Sequence, residues 1–188
     1  HLAYLSSMES IPGCTTTVTK MHVRIEEHIR KSGLSYTMIR PTFFMQLFIG
    51  SAAKIKETGN IVMPTADGTV VPTDIRDVGD VIAKVLTEDG HEGQSYDITG
   101  PDPVLTFQDM ANVIGEVIDA KVEYDDCDAA AYQEAIRPYH KNEWHSDAVA
   151  YLFAEIANGN TPGHKTSTFQ DIMGRPGKSL KEYLYEVS

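Results

Sequence analysis

The sequence predicts an α/β protein with a mainly parallel sheet and a mostly helical last third. Short apolar, β-branched runs alternate with longer stretches of helical periodicity, the pattern of βα units. Residues 1–39 read as strand, helix, strand, one βαβ unit whose crossover is expected to be right-handed. Beyond residue 129 the periodicity is almost entirely helical.

Taken in order, Leu2 to Leu5 form a brief apolar strand running into Ser6-Ser7. A chain that opens inside a strand is expected to be preceded by more protein. Pro12, Gly13 and the threonines up to Thr17 make a loop. Val18, Met21, Ile25 and Ile29 recur at helical spacing through Lys31, and Gly33 suits the left-handed position past a helix end. Leu34 to Ile39 is a strand stopped by Arg40-Pro41. Phe44, Leu47, Phe48 and Ile55 suggest a second helix, ended by Gly59-Asn60. Ile61 to Met63 and Thr69 to Pro72 are extended pieces.

Asp77 then opens a helix with the apolar stripe Val78, Val81, Ile82, Val85 and Leu86. Gln94 to Ile98 is a strand, and Thr99-Gly100-Pro101 a turn. Thr106 and Asp109 form a capping box before a helix whose core face is Phe107, Met110, Val113, Ile114, Val117 and Ile118. Val122 to Tyr124 is a short strand, and 129–137 and 144–157 are helices. Residues 158–163 are a loop. Two short helices close the chain, with capping pairs Thr168/Asp171 and Ser179/Glu182.

Composition narrows the function classes. The 188 residues carry 16 Lys+Arg against 27 Asp+Glu, a net charge of −11. An acidic surface of this kind repels nucleic acid and anionic membranes, so neither is an expected partner. No apolar run approaches the ~20 residues of a membrane helix. His1-Leu2-Ala3-Tyr4-Leu5 has neither a basic region nor a cleavage site, so no signal peptide is expected. Two cysteines, Cys14 and Cys127, make no disulfide framework, which points to a reducing, cytoplasmic setting. His140 and His145 are five apart, not the i, i+4 spacing of a helical metal pair, so no metal site is expected. Asp125, Asp126 and Asp128 read as a solvated loop or a helix cap.

Position supplies the best pointer to a site. In open parallel sheets, ligands bind beyond the carboxyl ends of the strands. Ser6-Ser7 and Arg40-Pro41-Thr42-Phe43-Phe44 follow the two strands of one βαβ unit, so they are expected side by side.

The stretch Ile25-Glu26-Glu27, then Ser32-Gly33-Leu34-Ser35-Tyr36-Thr37-Met38-Ile39-Arg40-Pro41-Thr42-Phe43-Phe44-Met45-Gln46, closely resembles the NmrA-like branch of the atypical short-chain dehydrogenase/reductase family. Asp74-Ile75-Arg76-Asp77-Val78, Tyr96-Asp97-Ile98-Thr99-Gly100-Pro101 and Phe169 to Leu184, with Gly174-Arg175-Pro176, continue it in order. The resemblance implies the C-terminal part of a Rossmann-type, doubly wound parallel sheet over 1–100, then a small α-rich substrate-binding region over 101–188 that is not fully separate. It also implies an NADP or NAD cofactor and hydride transfer to a small carbonyl or quinone-type substrate. The family's glycine-rich pyrophosphate turn does not occur here. This chain alone is therefore expected to bind the dinucleotide poorly or not at all, its parent to bind it.

Under the resemblance, Ser6 and Ser7 stand where related reductases place a hydroxyl near nicotinamide or substrate; otherwise they simply end a strand. His22 stands where relatives often carry a Lys, and is either a general acid, a ribose contact or a helix-surface histidine. No Tyr-x-x-x-Lys motif occurs in this segment. Ser6 and His22 are the catalytic candidates. Ser7, Pro41, Thr42 and Phe43 are the cofactor candidates, and Phe44, Gln46 and Trp144 the substrate candidates, with core packing as the alternative for Phe44 and Trp144. Arg76 and Asp77 read as helix-capping. The resemblance leaves open a protein partner or homodimer, and a rival role as a non-catalytic NAD(P) sensor or interaction module.

Overall fold

A computed structural model describes the chain except His140, Pro162 and Ser188, and the side chains of 49–51. Thus one of the two histidines weighed as a metal pair, and Pro162 of the 158–163 loop, lie outside the described residues. The elements run β1 (Leu2–Leu5), α1 (Thr17–Lys31), β2 (Tyr36–Pro41), a 3-10 turn (Met45–Ser51), α2 (Ala52–Thr58), β3 (Asn60–Met63), β4 (Thr69–Val70) and α3 (Ile75–Thr87). They continue with β5 (Ser95–Ile98), β6 (Leu105–Thr106), α4 (Phe107–Ile118), β7 (Glu123–Asp126), α5 (Ala129–Ile136), α6 (Glu143–Ala157), α7 (Thr168–Met173) and α8 (Leu180–Val187).

The expected α/β architecture is present. β1, β2 and β5 form a parallel three-stranded sheet in that order. Register places Ala3, Leu5, Ile39, Tyr96 and Ile98 on one face and Tyr4, Met38, Arg40 and Asp97 on the other, because side chains alternate. α3 covers the first face: Val78, Val81 and Val85 join Ile39, Ile98 and Phe169 in one buried cluster. α1 lies on the second. β3 pairs with β7 in parallel, and β4 with β6 antiparallel. A larger core holds Phe43, Phe48, Phe107, Met110, Phe153 and Tyr183, drawing on both sides of residue 100.

Several local readings differ from the structure. The strand read as stopping at Arg40-Pro41 continues through Pro41, which pairs with Ile98 while its carbonyl accepts from the Met8 N–H. A strand end tolerates proline where no ladder donor is required. The single helix read from Phe44 is a 3-10 turn followed by α2, because Phe44 bridges Thr73 and the Met45 N–H bonds the Thr73 carbonyl. That tertiary pairing holds the backbone out of α geometry. The helix read from Asp77 begins at Ile75, capped by the buried Asp74 carboxylate accepting from the Arg76 N–H at 2.9 Å.

The family-like motifs prove to be staples of the fold. A Cβ at Gly100 would stand 2.1 Å from the Pro72 carbonyl oxygen, so only glycine lets the end of β5 approach that closely. Gly174 ends α7 at φ +68°, and Arg175 then reaches Asp77 and Asp80 of α3 and stacks on Phe169 at 5.0 Å. Asp77 also accepts the Lys178 N–H at 2.6 Å, which docks the C-terminal segment on α3. Asp128 caps α5, and the capping boxes at Thr106/Asp109 and Ser179/Glu182 are formed. The α7 cap falls one residue earlier than read: Ser167 donates to Asp171 at 2.7 Å.

Candidate active site

The carboxyl ends of the three parallel strands are laced together. Ser6 N–H donates to the Ile39 carbonyl at 2.7 Å, Met8 N–H to Pro41 at 3.0 Å, and Thr42 N–H to Ile98 at 3.2 Å. Ser6-Ser7 and Pro41-Thr42 are therefore neighbours, as the topology requires.

Beneath them lies a polar layer between the sheet and α1. Glu26 is 1% exposed, and three side chains converge on its carboxylate with four hydrogen bonds. Ser6 Oγ donates to Oε1 at 2.6 Å and Arg40 Nε to the same oxygen at 2.8 Å. Arg30 donates to Oε2 at 2.7 Å, and a second Arg40 nitrogen joins it there. Burial pushes the Glu26 carboxyl up, but the pairing with Arg40 and the Ser6 and Arg30 hydrogen bonds outweigh it, and the group is held below the usual range. Beside Arg40 at 3.9 Å, Asp97 buries one carboxylate oxygen without a hydrogen-bond partner, and burial raises its pKa against the pull of Arg40 and His164.

His22 sits one helical turn before Glu26 on the same side of α1. Its Nδ1 is 2.7 Å from the Tyr4 hydroxyl, with the rings 5.8 Å apart and tilted by 57°. Burial lowers the His22 pKa, with the Glu26 charge opposing. Ser7 donates to Glu9, whose carboxyl burial raises, with that hydrogen bond opposing.

The other candidates are placed elsewhere. Phe43 is buried in the larger core, packed on Phe48, edge-on to Phe107 at 5.6 Å, and near Phe153. It buttresses the turn from within. Phe44 packs against the smaller core. Gln46 spends both ends of its amide on the start of α3, donating to Asp74 at 2.7 Å and accepting from the Ile75 N–H at 3.1 Å. Trp144 is 51% exposed on the first turn of α6. The structure thus brings together Ser6, Ser7, Pro41 and Thr42 at the strand ends, sets His22 against Tyr4 on the α1 side of the sheet, and leaves Phe43, Phe44, Gln46 and Trp144 outside that group.

Sequence reasoning missed Tyr4, Glu9, Glu26 and Asp97 as members of the site, and placed Arg40 at the strand end without a role. A signal for Glu26 existed: it lies three residues before Ile29 and eight after Val18, on the apolar stripe of α1, where an unpaired acid would be costly. Beyond β5, a cleft of about 340 Å³ is bordered by Thr99, Gly100, Pro101, Lys165, Thr166 and Phe169. Thr99 and Thr166 are tied across it, the Thr166 N–H donating to Thr99 Oγ1 at 3.0 Å, and Lys165 donates to the Pro101 carbonyl. Among the described residues, no cluster of three or more His, Cys, Asp or Glu is placed to hold a metal ion, and no helix is long and apolar enough to cross a membrane.

Comparisons with known proteins agree with this fold. The model of the NmrA-like family matches residues 9–165. An NAD(P)H azoreductase of Xenophilus azovorans is 26% identical over 183 residues, covering 97% of this chain and 63% of the relative. An NADPH-dependent quinone oxidoreductase of Escherichia coli superposes with a TM-score of 0.88 at 22% identity, over 98% of this chain and 66% of that one. A triphenylmethane reductase of Citrobacter sp., solved with NADP(H), superposes at 0.85 with 23% identity, over 99% of this chain and 64% of that one. The chain thus spans just under two thirds of the length of these proteins.

Proposed function

The chain belongs to the NmrA-like family, and from that premise we propose that it is the catalytic-edge portion of an NAD(P)-dependent oxidoreductase acting on a small carbonyl or quinone-type acceptor in the cytoplasm. One observation carries this reading: Ser6, Ser7, Pro41 and Thr42 meet at the carboxyl ends of adjacent parallel strands, where such sheets bind ligands, and α1 docks beside them through Ser6–Glu26 and Tyr4–His22. The reductase names of the relatives favour turnover over a purely sensing role. A homodimer or a protein partner belongs to the same proposal as a secondary possibility for the whole protein.

His22, with a ring nitrogen left unpartnered, is the donor suited to the nicotinamide end of a dinucleotide. Ser7, His22, Pro41 and Thr42 would border the ring and its ribose. The chain holds no glycine-rich turn opening a helix, so it does not supply the backbone cradle that a pyrophosphate requires. When bound, the cofactor supplies a hydride.

The chain's own residues position and orient. Glu26 and Arg40 hold α1 against the strand ends, and Ser6 is fixed with its proton on Glu26. Ser6 therefore presents lone pairs to the site rather than a donor proton. Ser7 is spent in the same way on Glu9. His22 keeps a ring nitrogen for the ligand.

The test is a steady-state assay of the full-length gene product with NADPH and NADH against a panel of quinones and small carbonyls. Turnover that falls in His22→Gln is the expected result. Tight NADPH binding with no turnover on any acceptor would replace this reading with the sensor.

A further inference from the structure

We infer that Tyr4 is a positioning residue for His22: its hydroxyl holds the imidazole in the Nε2–H form, and His22 serves as a neutral hydrogen-bond donor to the oxygen of the acceptor. The assignment of that oxygen rests on the reductase reading above. The tautomer does not.

The direction of the Tyr4–His22 bond follows from the chemistry of the two groups. A phenol is a good donor and a poor acceptor, whereas an unprotonated imidazole nitrogen is a good acceptor. Among the described residues the Tyr4 hydroxyl has no other hydrogen-bond partner, so donation to Nδ1 at 2.7 Å is the arrangement that uses its proton. Burial, and then the charge of Glu26, keep that phenol protonated. With Nδ1 occupied as acceptor, the neutral ring carries its proton on Nε2, the other ring nitrogen being the one that fixes the tautomer. Nε2 has no partner among the described residues and is not among the buried orphaned atoms, so it is open to a ligand.

The surroundings decide between an acid and a neutral donor. The groups facing His22 are Tyr4 from β1 and Glu26 from α1, with Arg40 of β2 pairing to Glu26 behind them. Arg40, Arg30 and Ser6 already satisfy the Glu26 carboxylate, so little of its charge is left to hold an imidazolium. A buried neutral imidazole is a weak proton source, but it polarises a carbonyl through its N–H, a role histidine takes in other enzymes. The serine donors at this edge are committed: Ser6 to Glu26 and Ser7 to Glu9. His22 thereby keeps a free donor beside these strand ends, where both serine hydroxyls are spent. The spacing makes a two-rung layer, with Tyr4 and Ser6 two apart on the strand and His22 and Glu26 four apart on the helix, each strand hydroxyl donating to one helix side chain.

The deciding experiment is nitrogen-15 NMR of the His22 imidazole in the chain itself near neutral pH, with no cofactor present. The wild type is expected to show an unprotonated, hydrogen-bonded Nδ1 and a protonated Nε2. Tyr4→Phe keeps the ring and removes the donor. It is expected to shift the populations toward the mixture of an unconstrained imidazole and to raise the pKa of His22, since the lost bond favoured the neutral ring. A protonated Nδ1 in the wild type, or populations unchanged in Tyr4→Phe, would overturn the positioning role. The wild-type spectrum decides the tautomer even if the variant fails to fold. In the full-length gene product, Tyr4→Phe is expected to lower kcat for a quinone and leave the KM for NADPH unchanged. Turnover without any such loss, or no NADPH-dependent turnover at all, would overturn the donor role while the spectrum stands on its own.

Discussion

On one face of the three-stranded sheet, Ile39 and Ile98 lie against Val78, Val81 and Val85 of α3. On the other, Tyr4, Ser6 and Arg40 meet α1 through Glu26 and His22, with Asp97 beside Arg40. Both faces hold a helix to the same strands, by different means. Apolar burial is non-directional and tolerates a change of shape at moderate cost. The polar layer is directional: the Tyr4, Ser6 and Arg40 donors have assigned acceptors, and removing one partner strands the rest. The face that carries the candidate site is the one in which donor directions are fixed, and there that fixing serves function as well as docking.

Unequal losses test the contrast most strongly. Glu26→Ala is expected to cost about 3–5 kcal/mol in urea unfolding, because Arg40, 18% exposed, and the Ser6 hydroxyl lose their partner together. Replacing Glu26 and Arg40 together by methionine is expected to cost less than Glu26→Ala alone. A double variant as unstable as the sum of its parts would show that the polar layer behaves like the apolar one. Ile39→Ala on the opposite face should cost about 2–5 kcal/mol through lost burial and the cavity left behind.

Acid sharpens the same comparison. Glu26 is held below the ordinary glutamate range, so its contribution is complete above about pH 4.3 and is lost as pH falls through the depressed value. His22 is also held low: the unfolded chain binds its proton first, so stability falls as pH drops below about 6.5. Unfolding midpoints from about pH 7 down to about pH 3.5 should fall more steeply in the wild type than in Glu26→Gln. Ile39→Ala should lower the whole curve without changing its shape. A Glu26→Gln curve parallel to the wild type would contradict the pairing. The smallest effect belongs to Trp144→Ala, which should stay within about 0.5 kcal/mol because the side chain is half exposed.

The elements legible in the sequence were those fixed by local chemistry. The stripe and Thr106/Asp109 box placed α4, and the valine stripe placed α3, because caps and periodicity are written within a few residues. The adjacency of Ser6-Ser7 and Arg40–Phe44 was legible too, since βαβ topology dictates it. What failed depends on partners distant in the chain. The 3-10 turn after Phe44 is set by Thr73, and the strand runs on through Pro41 because Met8 and Ile98 are there to pair with it. Phe43 and Gln46 resemble ligand contacts in the family pattern, yet their side chains are committed to Phe107 and Asp74. Glu26 was visible as an acid on an apolar stripe, but the partner that makes it tolerable lies 14 residues away on β2.

The most direct measurement is an NADPH titration of the full-length gene product followed through the imidazole signals of His22 and the amide of Thr42. The account predicts that both move as the nucleotide binds, in step with the heat of binding, while Trp144 stays still. Binding with His22 and Thr42 unmoved would place the cofactor elsewhere and contradict the assignment of the site to the laced ends of β1 and β2.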